Sequence, residues 1–256
     1  MSGAGRRAAT AGRRAVAHAG LAFASILALA GPARAGVPAG APIARLRTTE
    51  KVIALSFDDG PQGGPVLDSL LAVLADRHAH ATFFVIGGEL APRPEIGARL
   101  LAAGHELGNH TWTHPHLDSI GVDSMDVELA RTDSLLRALG VKGRILMRPP
   151  YGEFDDAMLK ELKRRHRVVA LFDVDPSYDF PTLSSPDSIV AKTVDWLGPG
   201  SILVMHPWYD PDASALRMLA PTLDWLERLG YRMVTVSELL SLRHATPELS
   251  LYHRAE

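Results

Sequence analysis

The chain has 256 residues and no cysteine. That absence excludes disulfide bridges, thiolate metal sites and cysteine nucleophiles. It agrees with an exported protein long enough to bury a full core without covalent staples. Charge of one sign is lacking too: 27 Lys and Arg stand against 29 Asp and Glu, a net charge of -2. Such a balance gives no electrostatic ground for a nucleic-acid partner. Beyond residue 36 there is no apolar run long enough to span a bilayer, so stable membrane insertion is not expected.

What is present begins with a targeting pattern. Arg6, Arg7, Arg13 and Arg14 form a basic start, Ala15 to Ala30 is apolar apart from His18 and Ser25, and Ala33-Arg34-Ala35 supplies a small-x-small cleavage site. Residues 1–35 therefore read as a secretory signal peptide, too short in its apolar part for a membrane anchor, and the product as periplasmic or secreted. The Arg13-Arg14 pair hints at the twin-arginine route, with little support from the residues that follow. The remainder has the length of one domain. Its expected organisation is a flexible, Ala-, Pro- and Gly-rich lead-in over 36–48, one domain over 49–245 and a tail over 246–256.

Within the domain, strand and helix patterns alternate. Strands are expected over 51–57, 81–86, 105–108, 144–147, 168–174, 201–205 and 232–236. Helices are expected over 65–77, 94–103, 123–139 (capped by Asp123 and Gly140), 155–165, 184–197 and 213–229, with a last turn over 237–243. This alternation predicts a parallel sheet with helices outside, and an open doubly wound sheet and a closed barrel both satisfy it. The polar residues favour the barrel. Asp58-Asp59, His110, Arg148, Asp175 with Asp179, and His206 all follow strand C-termini, which converge on one mouth in a β/α barrel.

Each of these groups has a bland reading and a chemical one. Asp58-Asp59-Gly60-Pro61 suits an ordinary turn, and adjacent strand residues point to opposite faces, so the two acids share a task only if the backbone turns between them. His110 and His114 meet on one face if their segment is helical, although the Glu of the metalloprotease helix is missing. Two His and one Asp suit zinc with a coordination position left for water. His116 is out of phase with the pair and reads as a surface or supporting residue. In Arg148-Pro149-Pro150-Tyr151-Gly152 two prolines stiffen a loop that presents a guanidinium. His206 follows the sixth strand, and paired with Asp175 or Asp179 it can donate a proton. His18, His78, His80, His105, His166, His244 and His253 read as solvated or locally bonded.

Together, Ser56-Phe57-Asp58-Asp59-Gly60-Pro61, His110-Thr111-Trp112-Thr113-His114, Arg148-Pro149-Pro150-Tyr151-Gly152 and Val204-Met205-His206 resemble the ordered motifs of the polysaccharide deacetylases, the NodB-homology group or carbohydrate esterase family 4. The resemblance covers about residues 50–240. It implies an α/β fold, a distorted (β/α)7 barrel, and metal-dependent removal of N-acetyl groups from an N-acetylglucosamine-type glycan by a metal-activated water. By the same resemblance Asp59, His110 and His114 hold the metal, most simply zinc, with cobalt, nickel or manganese also accepted by such a set. Asp58 is then the general base, oriented by Arg148; His206 is the general acid; and the Tyr151 amide helps to hold the oxyanion. The sequence departs from the family where Asp179-Phe180 replaces an Asp-Trp pair, which leaves Asp175 and Asp179 as alternative supports for His206. Val204 replaces a Leu, and Pro207 follows the histidine. An O-acetyl esterase and an inactive carbohydrate-binding protein are the competing readings. No separate carbohydrate-binding module is visible.

Overall fold

The computed structural model describes residues 39–179, 185–208, 214–242 and 246–249. The expected signal segment lies outside them. In chain order the elements are β1 (Pro42–Arg47), β2 (Val52–Gly60), α1 (Pro65–Asp76), β3 (Ala81–Val85), α2 (Gly87–Leu90), α3 (Pro94–Ala102), β4 (Glu106–Asn109), α4 (Leu117–Ala138) and α5 (Asp156–Arg164). There follow β5 (Val169–Ala170), α6 (Pro176–Asp179), α7 (Pro186–Trp196), β6 (Ile202–Met205), α8 (Ser214–Arg228), β7 (Arg232–Val234), α9 (Val236–Leu240) and β8 (Thr246–Leu249).

β2 is the strand around which the sheet closes. It pairs in parallel with β3 and β6, while β7 runs along Val52 to Ala54. β4 adds to β3, and single bridges continue the circuit from Asn109 to Met147, from Met147 to Val169, and from Val174 to Leu203 on β6. The result is the expected distorted barrel. Its irregular side is where 144–147 and 168–174 had read as full strands; they contribute one bridged residue and the short β5 with one bridge. On this side the carbonyls of Ala170 and Leu171 accept from the Arg148 guanidinium, and Pro149 and Pro150 have no N–H to continue a ladder.

Strand alternation sorts side chains between the barrel interior and the helix layer. Val52 and Ala54 face the interior with Phe84, Leu146, Val168 and Ala170, whereas Ile53, Leu55, Phe57, Phe83 and Val85 pack outward under α1, α3 and α8. Continuing the interior phase of β2 gives Ser56 and Asp58. Continuing that of residue 146 gives Arg148. Parity thus delivers an acid and an arginine to the same end of the barrel.

Two segments differ from the expectation of an unstructured lead-in and tail. Residues 42–47 form β1, parallel to β5 and antiparallel to β8. Ile43 and Leu46 are buried, and Glu248 pairs with Arg45 and Arg47, so β1 is held by packing and by a strand some two hundred residues away. The helix expected from Asp123 is the second piece of α4, which follows a break at Gly121 (φ 74°, ψ 164°); a short helical piece from Leu117 precedes it. Glycine alone enters that region without a steric penalty.

Candidate active site

Phe57 faces Phe83 across the β2–β3 ladder, but Gly60 faces Val85, so β2 carries an extra residue there. Asp59 takes it up at φ 65°. A bulge of this kind redirects one side chain, and here it turns Asp59 back to the face that Asp58 already occupies. Asp59 Oδ1 lies 3.2 Å from His110 Nε2 and 3.0 Å from His114 Nε2, and Asp58 Oδ2 lies 3.9 Å from His110 Nε2.

The histidine segment is not helical. Thr111 and His114 both adopt left-handed conformations, at φ 69° and 57°, and these two turns bring the imidazoles together with centroids 4.9 Å apart. His110 is buried, and its Nδ1–H donates to the Arg148 carbonyl at 2.8 Å. That bond fixes the ring so that Nε2 faces Asp59. Burial alone would raise the Asp59 carboxyl, but hydrogen bonds and charge from His110 and His114 hold it below the usual carboxylate range. Burial alone would lower His110, yet Asp58 and Asp59 raise it above the ordinary imidazole value.

One carboxylate oxygen and two Nε2 atoms thus lie within 4.8 Å of one another. Donors at about 2.0–2.1 Å from a tetrahedral zinc stand about 3.3 Å apart, close to the separations here. The three residues fit a divalent cation.

Arg148 has no exposed surface and reaches the acids from inside the barrel. Its Nη1 donates to Asp58 Oδ1 at 2.7 Å and to Ser56 Oγ at 2.9 Å, and the guanidinium carbon sits 4.1 Å from the centroid of the Phe84 ring. Its other nitrogens donate to Ala170 and Leu171, so the buried ion pair is closed on all sides.

Residues 45–168 match the polysaccharide deacetylase family. Over 207 residues the chain is 31% identical to a peptidoglycan-N-acetylglucosamine deacetylase of Bacillus cereus, covering 81% of this chain and 96% of the relative. The chain belongs to the polysaccharide deacetylase family. It is also 35% identical over 190 residues to the peptidoglycan-N-acetylmuramic acid deacetylase PdaC of Bacillus subtilis, covering 74% of this chain but spanning only 39% of that longer relative. Among solved structures it resembles a CE4 family pseudoenzyme from Bacillus anthracis, with TM-score 0.69, 26% identity, and coverage of 78% of this chain and 69% of that one. Since the deacetylase scaffold also occurs in a pseudoenzyme, the site residues carry the argument about activity.

At the end of β6, the neighbour of β2, His206 has its Nδ1 3.8 Å from Asp175 Oδ2. Asp175 is buried and also accepts from the Ser177 amide at 3.0 Å. The Asp179 side chain lies outside the described residues. Tyr151 sits at φ 59°, with its ring edge-on to His114 and stacked on His116, whose Nδ1 is 2.8 Å from Glu153. His105, expected to be solvated or locally bonded, is instead buried beside Phe83.

Several supporting residues gave no sequence signal. Asn109, fully buried, donates to the Leu129 carbonyl and Asp133 and accepts from the Thr111 amide. Glu128 and Thr132 on α4 bind the backbone of the histidine loop. Trp208 donates to the Asp58 carbonyl. Apart from the Asn109–Thr111 bond, each pairing spans many residues, where no local period can report it.

Proposed function

We propose that the chain hydrolyses N-acetyl groups on an N-acetylglucosamine-type polysaccharide or oligosaccharide. The carrying observation is the β2 bulge, which puts Asp59 with His110 and His114 while leaving Asp58 beside them on Arg148. Asp59, His110 and His114 would hold a divalent cation, zinc by preference for two imidazoles and a carboxylate, with cobalt, nickel or manganese as substitutes. Such a cation supplies an acidified water and polarises a carbonyl oxygen.

The chain's own residues do the rest. Asp58 takes the proton from the attacking water, its other oxygen held by Arg148 so that it cannot swing into the ligand set. His206, oriented by Asp175, gives a proton to the leaving amine, which an amide needs far more than an ester does. The Tyr151 amide, turned by its left-handed backbone, supports the oxyanion. Export through residues 1–35 belongs to the same proposal and agrees with relatives named for peptidoglycan. Among the described residues no helix is long and apolar enough to cross a membrane.

The test is acetate release from N-acetylglucosamine oligomers and peptidoglycan by the zinc-loaded chain, with acetylated xylan in parallel. Release from the amides, lost in His206→Ala while ester cleavage is better preserved, supports the proposal. Near-equal losses favour the O-acetyl esterase. Sugar binding without release favours the inactive reading that the Bacillus anthracis neighbour brings into view.

A further inference from the structure

Helix α4 supplies none of the motif residues, yet it moulds the loop that presents both histidines. Glu128 Oε2 accepts from the amides of Trp112 and Thr113 at 2.8 and 2.7 Å, and Oε1 from the Thr113 hydroxyl at 3.0 Å. On the same helix face, the Arg131 guanidinium lies 4.1 Å from the centroid of the Trp112 ring, and the Thr132 hydroxyl donates to the Thr111 carbonyl at 2.7 Å. Positions i, i+3 and i+4 of one helix thus grip all three residues between His110 and His114.

The two histidines do not depend on this grip equally. His110 is anchored from elsewhere, its amide on the Val85 carbonyl and its Nδ1 on the Arg148 carbonyl. His114 comes after two unfavourable turns, Thr111 at φ 69° and its own φ of 57°. A residue with a Cβ holds that conformation only where surrounding contacts impose it. Between Thr111 and His114, Glu128 takes the Trp112 and Thr113 amides and the Thr113 hydroxyl, beside the Gly88 amide on the Trp112 carbonyl and the His114 amide on the Thr111 hydroxyl.

We propose that Glu128 is a positioning residue that sets His114 against Asp59 and His110, and thereby the affinity of the site for its cation. This rests on the metal reading of those three residues. Zinc affinity is measured by competition with a chromogenic chelator, alongside melting of the metal-free and zinc-loaded chains, for wild type, Glu128→Gln, Glu128→Ala and Thr113→Val. Glu128→Ala should weaken zinc about 10–100-fold, the range seen when support for a metal ligand is removed. It should lower the melting temperature of the zinc-loaded chain more than that of the metal-free one. Glu128→Gln should stay within about threefold of wild type. Its carbonyl oxygen can take both backbone amides while its NH₂ donates to the Thr113 hydroxyl oxygen. Thr113→Val, which removes one donor, should fall between the two and decides the matter if Glu128→Ala does not fold; wild-type affinity in Thr113→Val would then overturn the proposal. Equal affinity in Glu128→Ala and wild type overturns this proposal alone. A wild-type chain that takes up no zinc overturns it together with the metal reading.

Discussion

The indole Nε1–H of Trp208 donates to the backbone carbonyl of Asp58 across 2.7 Å. It ties the turn behind His206 to the bulge that carries both acids. The Trp208 ring lies so close over Gly60 that a Cβ there would come within 2.3 Å of it. Trp208→Phe keeps a ring on Gly60 but leaves the Asp58 carbonyl without its indole donor. The expected cost is about 1–3 kcal/mol in urea denaturation. A fall in kcat of roughly tenfold with little change in KM would follow from a displaced Asp58. Unchanged kcat would show that the bond supports only the fold.

The adjacent acids separate by substitution. Asp59→Asn should lose the metal, measured by elemental analysis after gel filtration. Asp58→Asn should keep it and lose turnover by about 10²-fold or more, the range for general base catalysis. Metal loss in both variants would contradict the division of labour.

Arg148 is predicted to matter to the fold as well as to the site. In Arg148→Met the Asp58 carboxylate loses its buried partner, and the Ala170 and Leu171 carbonyls lose their guanidinium donor. Breaking one side of a buried pair costs about 3–5 kcal/mol. Arg148→Lys keeps the charge but not the fork and should fall between. Chemical denaturation ranks the three proteins, and equal stability would refute the account.

His105 gives the fold an acid-sensitive element. Burial, with a smaller contribution from nearby His80, lowers its pKa from 6.5 to about 4. Between those values the unfolded chain binds a proton that the folded chain does not, so stability falls as pH drops from 6.5 to 4, by up to about 3 kcal/mol. Asp173 works in the opposite direction. Burial raises it to about 6 against the pull of Ile202, Ser201 and Arg45, so the folded chain takes up its proton first and gains stability as pH drops through 6. His105→Leu should therefore remove the destabilising part and leave the chain less acid-sensitive than wild type, as read from urea midpoints across pH 4–7. An unchanged pH slope would show that His105 does not carry the effect.

The order of strands and helices and the residues at the strand ends were legible in the sequence, because they rest on short-range signals. The apolar run before Asp58, the prolines after Arg148 and the glycines closing helices each act within a few positions. β1 and β8 were not legible, since Pro42–Arg47 becomes a strand through two partners far along the chain, β5 and β8. The same limit hid Glu128 and Trp208, whose contacts with the histidine loop and with Asp58 are made in space.

The acid pair shows where the division falls. The sequence by itself determined that Asp58 and Asp59 end a buried strand, and that strand parity would send them to opposite faces. Only the tertiary structure decided that they share one. The ladder with β3 takes an extra residue at Asp59, and His110, His114 and Arg148, brought in from other strand ends, supply the charge and hydrogen bonds that make a buried and a half-buried carboxylate tolerable side by side.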